Sequence, residues 1–147
     1  MIEWDTLIVE MSLLAAIIYF SVYLEHLVYK RVEKHKEKKE KKNITTFIRD
    51  DLEQRLRFIE ESKKYKDYKP FFTDMWDSII LAGKQSLLPF ELFQTLQRTY
   101  SWMKYYNTEL ENSNKKSNLD EKILNDLLGD VKKFIDKSYE MLDKTKV

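Results

Sequence analysis

One stretch constrains this chain more than any other. Residues 6–28 read TLIVEMSLLAAIIYFSVYLEHLV, and residues 30–42, KRVEKHKEKKEKK, follow almost at once. The first is the only part apolar enough to leave water. The second is the most basic part. As an α-helix, the 22 residues from Leu7 to Val28 reach ~33 Å, against a bilayer hydrocarbon core of ~30 Å. Trp4 stands at one end and Tyr23 and Tyr29 towards the other, where amphipathic rings favour the headgroup zones. The pattern predicts a single transmembrane helix. Glu10 complicates it, because the strictly uncharged run is only 14 residues, 11–24, or ~21 Å of helix. That length also suits the buried first helix of a soluble bundle, which stays as the rival reading.

The flanks give the predicted span a direction. No Lys or Arg precedes residue 30, whereas residues 30–42 hold eight of them against three Glu. An excess of cations marks the cytoplasmic side, so the amino terminus is expected outside and the remainder inside. Lys30, Arg31, Lys34 and Lys38 are the expected contacts with anionic headgroups. A cleaved signal peptide is not expected, since the leading residues are acidic and no small-residue cleavage site follows the apolar run. Glu10, with the small-xxx-small pair Ser12 and Ala16, marks the expected place of self-association between spans. The chain thus divides into an anchor at 1–29, a basic collar at 30–43 and a body at 44–147.

The body offers one small core. Its 18 Lys and Arg balance 18 Asp and Glu, so it lacks the basic face of a protein that binds duplex nucleic acid. Cysteine is absent, and with it any disulfide framework, thiolate nucleophile or cysteine metal site. Two Gly and two Pro leave few turns, and no segment alternates with period two. The fold class expected is all-α, with about four antiparallel helices in the body.

Helical stripes fill that outline. Thr45 or Thr46 is expected to cap a new helix after the collar, with Ile48, Leu52, Leu56 and Ile59 on its inner face and its end before Pro70. Phe71, Phe72, Met75, Trp76, Ile79 and Ile80 form a second stripe, stopped at Gly83. Pro89 opens a third helix, lined by Leu92, Phe93, Leu96, Tyr100 and Met103. Residues 111–118 read as a polar loop. Asn118 with Glu121 resembles a capping box for a fourth helix, whose stripe runs through Leu119, Ile123, Leu127, Val131, Phe134 and Leu142. Gly129 within it suggests a close crossing.

Groups that do chemistry are scarce. The two histidines, His26 and His35, lie at the edge of the span and in the collar, and neither has a second histidine at metal-binding spacing. No phosphate-binding glycine loop, GxSxG elbow or zinc spacing occurs. The acidic pairs Asp50–Asp51, Glu60–Glu61 and Asp74–Asp77 read as solvated helix faces. No catalytic residue, metal or cofactor is expected, and the chain does not read as an enzyme. Aromatic residues are in surplus around the third helix. Trp102 and Tyr105 lie off its inner line, with Arg98 and Lys104 close enough in sequence to hold an anion beside them.

The run Trp76-x-x-Ile79-Ile80-x-x-Gly83-x-x-x-Leu87-Leu88, followed by Leu92, Leu96, Tyr100 and Tyr106-Asn107, resembles small archaeal and bacterial membrane-anchored proteins of unassigned function. The likeness covers roughly residues 1–110 and rests mostly on packing positions. It implies an amino-terminal span and a helical cytoplasmic body. Many of those proteins carry an acid–Asn pair in the first body helix, and this chain has Glu53-Gln54-Arg55 near that place. The resemblance implies no activity.

Two classes of function follow. One is a membrane-anchored, non-catalytic interaction module that self-associates and docks a cytoplasmic protein partner. The other is a ligand-gated membrane effector whose body binds a small anionic signal, such as a nucleotide messenger.

Overall fold

The structure, a computed structural model, describes residues 3–145 and is helical, with no strand among them. Four α-helices follow one another: α1 (Trp4–Tyr65), α2 (Asp74–Leu81), α3 (Phe90–Lys115) and α4 (Glu121–Lys144), with a 3-10 turn at Lys84–Leu87 between α2 and α3. The chain divides into two compact units, Met1–Glu40 and Lys41–Val147.

In the first unit every described residue is exposed. It holds one helical stretch, apolar at its start and basic at its end. No residue of its most apolar 18-residue window, of mean hydropathy 2.1, is buried. This is a helix long and apolar enough to cross a membrane, and it has no packing partner within its own unit.

The second unit is a bundle around one core. Ile44, Ile48, Leu52 and Ile59 of α1 face Leu92, Leu96, Tyr100, Met103 and Tyr106 of α3, and Leu124, Leu128, Val131 and Ile135 of α4 close the third side. Side-chain pairs fix the directions. Tyr100 meets Asp51, and Phe71 links Phe58 to Tyr106, so α3 runs with the body part of α1. Arg49 meets Asp143 and Tyr68 meets Asn125, so α4 runs against α1. Asn107 clamps both backbone polar groups of Phe71, and the Trp76 indole N–H donates to Gln97, so α2 returns against α3. Between α3 and α4 the Thr99 and Ser138 hydroxyls meet at 2.8 Å, and each also bonds a backbone carbonyl. Small hydroxyl residues there give a close helix contact without a buried polar atom left over.

The helix boundaries depart from the sequence reading in three places. No break occurs at residues 43–46. Thr45 and Thr46 sit inside α1 and turn their hydroxyls back onto the carbonyls of Lys41 and Lys42. A Thr in mid-helix satisfies itself in this way, and no Gly or Pro stands nearby to stop the helix. The expected loop at 111–118 is mostly the last turn and a half of α3. Leu110 anchors it in the core and Lys115 pairs with Glu111 one turn back. The cap of α4 is Asp120, whose carboxylate accepts from the Ile123 N–H at 3.2 Å, not Asn118. The inner stripe of α4 accordingly starts at Leu124, leaving Leu119 and Ile123 largely in water. Other boundaries follow the sequence signals. Lys66, at φ 53, ends α1 ahead of Pro70, and Gly83, at φ 68, takes the left-handed turn after α2.

Candidate interaction surfaces

Three features beyond the packed core have chemical character. The first is the apolar helix of the amino-terminal unit. At 3.6 residues per turn, Ser12 and Ala16 lie about 40° apart, but about 160° and 120° round the helix from Glu10. The three expected self-association residues therefore belong to two different faces. A shallow apolar concavity of about 430 Å³ lies further along, lined by Leu24, Glu25, Val28, Tyr29 and Val32. Beyond it, Lys30, Arg31, Lys34 and Lys38 share one side of the helix, within about 100° of one another. All four are exposed; Lys30, Lys34 and Lys38 lie away from the concavity, and Arg31 lies nearer its Leu24 edge.

The second is an aromatic patch on α3. Trp102 stacks on Phe134 of α4 at 5.7 Å between ring centres, and Tyr105 meets Trp102 edge-on at 5.7 Å. With Ser101 these two rings line an open concavity of about 340 Å³. Tyr105 stays half exposed. Arg98 is exposed one turn before Trp102 and on its side of α3, within about 40° of it. Lys104 is not part of this patch. Its ammonium donates to Asp77 of α2 at 2.6 Å, on a different side of the helix. That bond, joined by one from Thr73, holds the Asp77 carboxyl below the usual carboxylate range. Of the four expected binding residues, the fold thus groups Arg98, Trp102 and Tyr105.

The third is a buried polar cluster that the sequence reading assigned to a solvated face. Asp51 is 9% exposed. One of its oxygens accepts from the Arg55 guanidinium at 2.9 Å and the other from the Tyr100 hydroxyl at 2.6 Å. Tyr100 stacks on Trp76 at 5.1 Å with nearly parallel rings, and Phe72 lies over the guanidinium. Burial, with the Asp51 carboxylate beside it, pushes the Tyr100 phenol far above its ordinary range. Asp51 falls three residues after Ile48 and eight before Ile59, on the buried stripe itself, and Arg55 is its partner one turn on. That spacing is the sequence signal for the pair. The cluster carries no open coordination position and no nucleophile. Its chemistry is that of a buried, hydrogen-bonded ion pair holding three helices in register.

Among the described residues, no group of three or more His, Asp or Glu is arranged to hold a metal ion. No family model, curated protein or solved structure matches this chain.

Proposed function

We propose that this chain is a membrane-anchored, non-catalytic helical interaction module. The start of α1 crosses the bilayer with the amino terminus outside, and the basic run 30–42 meets the cytoplasmic headgroups. The bundle docks a cytoplasmic protein partner, and the chain associates with copies of itself. One observation carries the reading: a window of mean hydropathy 2.1 in which no residue is buried. Exposing that much apolar helix to water is unfavourable by ~25 cal/mol per Å², and hydrocarbon removes the cost. The docking role rests on the Trp102–Tyr105 patch, in which Tyr105 is half exposed and Trp102 partly buried, since aromatic rings on a surface are the residues most often found at the centre of interfaces.

Expression of the full chain, followed by alkaline carbonate extraction, tests the anchor. Retention in the membrane pellet is expected, with the bundle accessible to protease only from the cytoplasmic side. Release into the supernatant overturns the reading in favour of a soluble protein.

The same patch favours a second reading, that of a ligand-gated effector. An open aromatic concavity with Arg98 exposed one turn away on the same side of α3 suits a planar anionic ligand such as a nucleotide. A nucleotide screen read by thermal shift separates the two. A rise in melting temperature that Trp102→Ala abolishes favours the effector.

A further inference from the structure

We infer that the bundle binds a small protonated monoamine in the cavity where α1 ends, with Ser62 and Glu61 as its polar contacts. The site shares no residue with the Trp102–Tyr105 patch, and it stands whether or not the apolar helix crosses a membrane.

The cavity measures about 180 Å³ and is lined by Phe58, Glu61, Ser62, Tyr65, Asp67 and Lys69. It is more enclosed than the two concavities described above. Pockets for drug-sized ligands begin near ~300 Å³, so an occupant here is small. One wall is fixed by the core, because the Phe58 ring meets Phe71 at 4.8 Å and Phe71 meets Tyr106 at 5.1 Å.

Ser62 points to a ligand. Among the described residues, six polar ones are buried: Asp51, Ser62, Thr73, Thr95, Thr99 and Ser138. Five of them bond within the protein. Asp51 meets Arg55 and Tyr100, Thr73 donates to Asp77, and Thr95, Thr99 and Ser138 turn back onto carbonyls one turn earlier. Ser62, only 2% exposed, makes no side-chain hydrogen bond, although it too lies within a helix. It follows Ile59 by three residues on the buried stripe of α1, where an apolar residue would extend the core. A buried hydroxyl left unpaired is unfavourable and rare in native proteins. Here it lines a cavity, so its partner can enter from outside the chain.

Charge selects the class of that partner. The Lys69 ammonium pairs with the Asp67 carboxylate at 2.9 Å. That bond, with a smaller contribution from Glu61, raises the Lys69 ammonium above its ordinary range. Glu61 has no ion-pair partner of its own among the described residues. Two carboxylates against one ammonium leave the lining one negative charge in excess. The neighbouring lysines are engaged elsewhere. Lys63 lies beside Gly129, Lys66 faces Glu121 at 3.8 Å, and Lys64 stands over the Tyr65 ring at 5.1 Å. A protonated amine supplies the missing positive charge, donates to the Ser62 hydroxyl and the Glu61 carboxylate, and rests its apolar body on Phe58 and Tyr65. An anion of the same size meets two carboxylates and an ammonium that is already bonded.

Calorimetric titration of the full chain in detergent with phenethylamine tests the site, against a protein-free detergent blank. Phenethyl alcohol and hydrocinnamate keep a similar apolar body and change the charge. Saturable binding is expected for the amine alone. Glu61→Gln is expected to weaken it about ten-fold and Ser62→Ala about five-fold, while Trp102→Ala leaves it unchanged. Without ligand, Ser62→Ala should melt at the parent temperature or above, because its hydroxyl holds nothing in place. Absence of saturable heat overturns the inference and leaves water as the occupant of the cavity. Equal binding of the alcohol or the acid also overturns it. So does an affinity that Glu61→Gln and Ser62→Ala do not change, or a lower melting temperature for unliganded Ser62→Ala.

Discussion

Tyr100 and Tyr106 stand six residues apart on α3, both fully out of water, and their hydroxyls meet opposite fates. The Tyr100 hydroxyl donates to Asp51, whereas the Tyr106 hydroxyl has no hydrogen-bond partner. The same substitution is therefore expected to act with opposite sign. Tyr100→Phe leaves the buried Asp51 carboxylate short of a donor and should cost about 1–3 kcal/mol. Tyr106→Phe removes an unpaired polar atom and should be neutral or stabilising by up to about 1 kcal/mol. Chemical denaturation of the full chain in detergent, followed by tryptophan fluorescence, reads both, since Trp76 stacks on Tyr100. Equal losses would contradict the hydrogen-bond assignment. A pH dependence follows from the same bond. Burial, and then Asp51, raise the Tyr100 phenol above its unfolded value of about 10. The neutral phenol then contributes its stability in full below pH about 10 and loses it as pH rises towards the folded value. Melting temperature should fall more steeply above pH about 10 in the parent chain than in Tyr100→Phe.

At the scale of elements, stripes of apolar residues were legible, and helix ends were legible only where Gly or Pro stands. Ile48, Leu52, Leu96, Tyr100 and Val131 could be placed in the core because helix period alone selects them. The ends depend on competition between neighbouring polar residues. Asn118 and Asp120 are both good caps by type, and the winner is decided by which one the chain leaves free. The Asn118 backbone N–H is taken by Ser113, closing the end of α3, and Asp120 caps α4. Asp120→Ala should thus cost about 0.5–2 kcal/mol and Asn118→Ala much less. Gly129 gives a second separation. A methyl group at this position would meet only the Lys63 ammonium, at 3.8 Å, so no close helix crossing requires glycine. Gly129→Ala should stabilise α4 by up to about 1 kcal/mol, read as a rise in melting temperature. The Trp102–Tyr105 patch was legible as a departure from the inner stripe of α3. The loss of Lys104 from it was not, because that depends on Asp77, 27 residues away on another helix.

For the whole molecule, charge is concentrated in one short basic run. The bundle residues from 43 onward carry no net charge, and the cation excess sits in 30–42, against an acidic start to the chain. A neutral bundle gives no preference for either side of a membrane, so the proposed orientation depends on those few lysines and arginines. Replacing Lys30, Arg31, Lys34 and Lys38 with Gln removes four of the eight cations beside the apolar segment and leaves the core untouched, because all four side chains are exposed. Adding Lys at Glu3 and Asp5 in the same chain narrows the bias to four cations against two. The altered chain should still stay in the membrane pellet, because its apolar window is unchanged. Its bundle should now appear on both sides, so that part of it resists protease added from the cytoplasmic face. A chain that keeps one orientation after this exchange would show that the bundle, and not the flanking charge, decides which way the protein points.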